Sequence, residues 1–215
     1  MTAPPAFDRL AGVYRWMEYF SFGPFLHRAR TQFLGELSEC RRALVLGDGD
    51  GRFTAALLRS NPGIIVHAVD GSPRMLAALL RRAGDDADRV KTEIADLRLW
   101  MPPTEAHNDL VAAHFFLDCL STAEVISLAR RVAPALQDGA LWVISDFAVP
   151  KTRFGRTIAL PLVSSLYTMF RWLTGLRVRE LPDHEAALVS EGWRVEQEQP
   201  RLNGLLISQL WRISR

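Results

Sequence analysis

The chain has 215 residues, of which 48% are apolar and 23% charged, with a formal charge of +2. That is the composition of one ordinary globular domain able to bury its own core, and it excludes a fibrous, disordered or staple-dependent chain. Nearly all the positive charge is arginine, in scattered pairs such as Arg81 and Arg82 or Arg130 and Arg131; lysine occurs only at Lys91 and Lys151. With no long basic run, no nucleic-acid partner is expected. Cys40 and Cys119 are too few for a disulfide framework and fit a reducing compartment. Residues 1–16 lack the basic and apolar regions of a signal peptide, so the expected location is the cytoplasm.

In chain order, Phe7, Leu10, Ala11, Tyr14 and Met17 have helical spacing. A break at Phe22, Gly23 and Pro24 follows, then Leu26, Ala29, Phe33, Leu34 and Leu37 mark a second helix. Residues 43–46 read as a first strand. Glycines at 47, 49 and 51 separate it from a helix with Phe53, Leu57 and Leu58 on one face. Residues 64–69 form a second strand rich in β-branched side chains, which ends at Asp70 and Gly71. Ser72 and Pro73 then supply an N-cap and a first-turn proline for a helix with a stripe of Leu76, Leu79, Leu80 and Ala83. Strands are expected at 90–94, 109–113 and 141–147, with a helix opened by the capping box of Ser121 and Glu124 before the last of them.

This alternation predicts a parallel sheet covered by helices on both faces, with ligands outside the carboxyl ends of the strands. It stops at the mostly apolar segment 154–176. The window 157–176 is long enough to span a bilayer, but Pro161, Arg171 and several hydroxyls make a lid or buried helix the expected form, with weak membrane-surface contact as the lesser reading. One domain over 1–215 is therefore expected, with helical lids at 1–40 and 150–181. Pro182 and Asp183 open a short helix that Gly192 closes, and 193–198 with 205–213 form an antiparallel hairpin that finishes the sheet.

The stretch RALVLGDGDGRFTAALL at 42–58 holds the strongest chemical signal. Glycine at 47, 49 and 51 permits a tight turn and close approach of a ligand to the main chain. A phosphate-binding loop needs a lysine that is absent here. A nicotinamide fingerprint needs a small residue where Arg52 stands. Asp48 and Asp50 would repel a pyrophosphate and attract a cation such as the ammonium and sulfonium of S-adenosylmethionine. Asp70, 19 residues beyond Gly51, ends the second strand where a carboxylate can accept from both ribose hydroxyls. Asp96 follows the third strand, where an acceptor would meet the adenine amino group. The fourth strand ends in AAHFFLDCL, placing His114, Phe115, Phe116 and Asp118 at the functional edge.

These four stations, in this order, resemble the class I S-adenosylmethionine-dependent methyltransferases over about residues 43–147. The leading FDRLAGVYRWMEY is similar to the entry helix of quinone C-methyltransferase-like members. The resemblance implies an α/β, Rossmann-like seven-stranded sheet of order 3-2-1-4-5-7-6 with an antiparallel last strand. It implies S-adenosylmethionine as cofactor, held by Gly47, Asp48, Gly49, Asp50 and Gly51, by Asp70, Gly71 and Met75, and by Ala95, Asp96 and Leu97. Tyr14 from the entry helix and His114 and Phe115 after the fourth strand complete the implied cofactor site. Val45 stands where the family often has an acidic residue, and the motif of amino-directed nucleic-acid methyltransferases is absent after the fourth strand. His114 is the first candidate for a general base and Asp118 the second, with His27 and His184 as further histidines able to reach in from the lids. No group of residues has metal-ligand spacing. Aromatic residues of 7–25 and 154–176 are expected to roof a small apolar or aromatic acceptor. A non-catalytic binding module on the same fold, and a nicotinamide oxidoreductase, are the alternatives.

Overall fold

A computed structural model describes residues 23–148 and 182–214. Tyr14, the membrane-length window 157–176 and nearly all of the two expected roof segments lie outside these residues. Among the described residues, no helix is long and apolar enough to cross a membrane.

Seven strands form one sheet in the order β3-β2-β1-β4-β5-β7-β6. They are β1 (Arg42–Leu46), β2 (Ile65–Asp70), β3 (Val90–Ile94), β4 (Asn108–His114), β5 (Leu136–Phe147), β6 (Trp193–Arg201) and β7 (Leu206–Ile213). The first five run parallel, and β7 lies antiparallel between β5 and β6. The helices are α1 (Gly23–Arg30), α2 (Arg52–Ser60), α3 (Pro73–Ala83), α4 (Thr122–Val132) and α5 (His184–Ser190). This is the expected fold class.

Alternate residues of the central strands go to opposite faces, and both faces are covered. Leu44, Val111 and Trp142 join a core with Leu128 of α4 and Leu188 of α5. Val45, Ala112 and Val143 join another with Phe53 of α2 and Leu79 of α3. Burial on both sides is why these strands read as continuous apolar runs. The capping box of Ser121 and Glu124 is formed in both directions, and Ser72 accepts from the Met75 N–H as the N-cap of α3.

Four boundaries differ from the sequence reading. Pro24, expected to mark a break, sits in the first turn of α1, where a missing N–H costs nothing. The second helix also stops at Arg30, and Leu34–Leu37 form a separate single turn. β5 starts at Leu136, five residues early, because Gly139 takes a left-handed φ of +71° inside the strand instead of ending it. β6 runs through Pro200 to Arg201, which an outermost strand tolerates because one side of its ladder is unpaired.

Asn61, 3% exposed, locks the segment before β1 to the end of α2. Its Nδ2 donates to the carbonyls of Leu37 (2.9 Å) and Cys40 (2.7 Å), and its Oδ1 accepts from the Gly63 N–H (3.1 Å). Asn61→Ala strands those buried groups, so urea denaturation is expected to show a loss of about 2–4 kcal/mol.

Candidate functional site

The site grows from the turn between β1 and α2. Gly47, Gly49 and Gly51 all take left-handed φ values, +65°, +59° and +79°. A side chain at Gly47 would meet Phe116 at 2.5 Å, and one at Gly51 would meet the Leu79 Cα at 2.7 Å. Internal packing therefore accounts for these two. At Gly49 the nearest described neighbour is the Met75 sulfur at 3.9 Å, an ordinary contact, so internal packing does not demand a bare main chain there.

The loop carboxylates are engaged within the protein. Asp48 reaches forward to the start of α2: its Oδ2 accepts from the Thr54 N–H (2.9 Å) and hydroxyl (2.7 Å), and its Oδ1 from the Phe53 N–H (3.3 Å). Gly51, the formal N-cap, has no side chain to do this. Burial nonetheless pushes the Asp48 carboxyl up to about 6. Asp50 is paired with Arg82 (2.6 Å) and Arg52 (3.3 Å). Of the two carboxylates that the sequence offers to a cation, Asp50 is therefore met by arginines, while Asp48 is held by neutral donors at the start of α2.

Asp70 is different. At the end of β2 its Oδ1 accepts from the Ser72 N–H (2.8 Å) and its Oδ2 from the Gly49 N–H (3.3 Å). No cation pairs with it among the described residues, and burial raises its carboxyl above the usual range against the pull of those two N–H groups. It ties the bare glycine to the end of β2. Gly71 is exposed and Met75 half-buried on the first turn of α3, beside Gly49.

After β3, Ala95 donates its N–H to the Asp70 carbonyl (3.1 Å) and Leu97 is buried. Asp96 is exposed, and its carboxylate is gripped by Arg98 through Nη2 (2.7 Å), Nε (2.9 Å) and the main-chain N–H (3.1 Å). That pairing holds the acid below the ordinary carboxylate range. The expected acceptor for adenine is thus occupied by its own neighbour. Arg131 of α4 holds the loop from below, donating to the carbonyls of Leu97 and Trp100.

At the ends of β4 and β5, His114 is 3% exposed with its ring against Phe53, centroids 4.2 Å apart. Burial and the Arg30 charge keep it well below the ordinary imidazole range, which disfavours the charged form. Phe115 has a left-handed φ of +55°, rare for an aromatic residue. Asp118, half-buried, gives its N–H to Asp146 (3.1 Å) and takes a contact from the Cys119 thiol (3.5 Å). Burial, with Asp118 alongside, holds the Asp146 carboxyl well above the usual range. The Cys119 thiol is pushed up by burial and by these acids, which disfavours the thiolate. His184 is spent on Gln209, and Val45 is core.

Sequence reasoning missed two residues. Asp146, 1% exposed at the end of β5, had a signal: an acid closing an apolar strand beside the expected edge. Arg30, 6% exposed on α1 with its guanidinium 4.7 Å from the Phe115 ring centroid, had none, because tertiary packing alone brings α1 to β4.

A sheet of this order, with a glycine turn after β1 and an acid closing β2, defines the class I methyltransferase fold. Residues 44–142 match a family described as a methyltransferase domain. A trans-aconitate 2-methyltransferase of Mycobacterium sp. strain KMS is 30% identical over 164 residues, 73% of this chain and 59% of that protein. Another, from Mycobacterium tuberculosis strain H37Ra, is 42% identical over 66 residues, 31% of this chain and 23% of that protein. Among solved structures, the S-adenosylmethionine-dependent methyltransferase SibL in its apo form superposes with a TM-score of 0.72 at 23% identity, over 100% of this chain and 64% of that one. The mitomycin 7-O-methyltransferase MmcR gives 0.70 at 19% identity, over 97% and 60%. The likeness to these structures is one of fold, and the chain spans less than two thirds of the length of each of these relatives. The fold is that of the class I S-adenosylmethionine-dependent methyltransferases, and residues 44–142 carry the match to the methyltransferase-domain family.

Because the folded state holds the Asp48 proton to about 6, against an ordinary 3.8, it binds more protons than the unfolded chain between those values. Asp48 therefore lowers stability as pH rises from about 4 to about 6, and its effect is level above that. Asp48→Asn removes this slope. Urea titrations are expected to show the variant gaining on the wild type by on the order of 1–2 kcal/mol between pH 4 and 7.

Proposed function

We propose that the chain transfers a methyl group from S-adenosylmethionine to a small organic acceptor. The observation that carries this is the pairing of Gly49 and Asp70: a bare stretch of main chain beside a carboxylate that no described cation neutralises, at the open end of parallel strands. Asp70 keeps lone pairs on both oxygens for a ribose diol, and its charge suits a cationic ligand better than a pyrophosphate. Met75, Ala95 and Leu97 offer apolar and main-chain surface for the adenosine. S-adenosylmethionine supplies a methyl group already activated by its sulfonium charge. The work left to the protein is to orient the acceptor and exclude water.

The acceptor then belongs over the ends of β4 and β5, beside Phe115, Phe147 and the acids Asp118 and Asp146. The rings support the apolar or aromatic acceptor read from the sequence. With the charged form of His114 disfavoured, Asp118 remains the candidate to take a proton from a neutral acceptor. An acceptor that arrives ionised needs no such step. A small carboxylic acid, the kind of compound named in the curated relatives, meets that condition.

Calorimetry with S-adenosylhomocysteine tests the cofactor reading. Micromolar binding to the wild type is expected. Asp70→Asn, which keeps the shape but removes the charge, is expected to weaken it about 10- to 100-fold, the scale of a lost charge-assisted hydrogen bond. Absence of any binding at millimolar ligand overturns the reading, and binding without turnover of any acceptor favours the non-catalytic alternative.

A further inference from the structure

Among the described residues, both ring nitrogens of His114 are buried and without a hydrogen-bond partner, on a residue 3% exposed. Such groups are normally paired, so an orphaned imidazole at a ligand edge points to a partner that arrives with the ligand. Its surroundings define what that partner is. Phe53 covers the ring on one side, at 4.2 Å and 48°. Arg30, buried on α1 and lying over Phe115, puts a positive charge in the same corner, felt by His114 and by Asp48. The strained φ of Phe115, fixed by its N–H to the Ser145 carbonyl (2.7 Å), turns the chain so that Phe115 goes under Arg30 immediately after His114. Asp48 does not compete for the imidazole, because both its oxygens face the first turn of α2.

A neutral imidazole offers one N–H donor and one acceptor nitrogen. Beside a fixed cation, the donor suits an anionic oxygen. We propose that His114, backed by the Arg30 charge, is a carboxylate-binding subsite at the end of β4. The imidazole N–H donates to one carboxylate oxygen of the bound molecule, and no proton is transferred. His114 is thereby a binding residue and not a base. The proposal rests on the methyltransferase reading for the source of the carboxylate: the amino-acid end of the methyl donor, or an acidic acceptor.

The test uses the full chain labelled with 15N-histidine, with the His114 ring signals assigned through their contacts to Phe53. Three probes are titrated: S-adenosylhomocysteine; 5′-methylthioadenosine, which lacks the amino-acid end; and trans-aconitate, with and without S-adenosylhomocysteine. The expected result is a shift of the His114 ring nitrogens with a carboxylate-bearing probe and none with 5′-methylthioadenosine. A shift with S-adenosylhomocysteine assigns the subsite to the donor, and one with trans-aconitate to the acceptor. His114→Leu is expected to weaken binding of that same probe at least tenfold while leaving 5′-methylthioadenosine within twofold. If the variant does not fold, the wild-type shifts decide alone. Ring signals that ignore both carboxylate probes, or that move equally with 5′-methylthioadenosine, overturn the proposal. Failure of S-adenosylhomocysteine to bind overturns the cofactor reading separately, and trans-aconitate without it still interrogates His114.

Discussion

The hold of Asp48 on the first turn of α2 is the interaction on which the rest of the site depends. A glycine turn has no stiffness of its own, since glycine has more conformational freedom to lose than any other residue. Here the turn is pinned from three sides: Phe116 presses on Gly47, Leu79 presses on Gly51, and the Asp48 carboxylate gathers the free N–H groups of Phe53 and Thr54. With both ends fixed, Gly49 between them is held toward Asp70. The same capping stations Phe53 against His114, so one side chain sets both the cofactor corner and the end of β4.

The acids along the edge divide into two kinds. Asp50 and Asp96 are gripped by arginines and serve to fasten loops. Asp70 and Asp146, which close β2 and β5, accept from main-chain N–H groups, and burial raises both. A carboxylate held only by neutral donors keeps a charge, or a proton, to present to a ligand, whereas one in an arginine fork has little left. The make-up of the edge follows: carboxyl groups over β2 and β5, with the Arg30 guanidinium between them by Phe115 after β4. A ligand with a positive centre and an anionic end matches that arrangement.

The backbone architecture was largely legible without the structure. Apolar runs bounded by turn residues, the capping box at Ser121 and the N-cap at Ser72 are local signals, and local signals fix which residues form strands and helices. The chain's habit of returning through helices fixes the parallel order. Where local reading slipped, the cause was tertiary: Pro200 survives in β6 because that strand is outermost, and Gly139 lies where the extra residues of β5 bulge out of register with β4, between Leu136 and Leu141.

The sequence by itself determined that a glycine turn and an acid at the end of β2 share one edge of a parallel sheet, because spacing and alternation alone dictate that. Only the tertiary structure decided which charges stay available there. Whether Asp48 meets a helix start, whether Arg82 or Arg98 closes on a neighbouring acid, and whether Arg30 reaches Phe115 all depend on groups 2 to 85 residues apart in the chain. Those meetings are set by packing distances of a few ångströms, which no local pattern encodes.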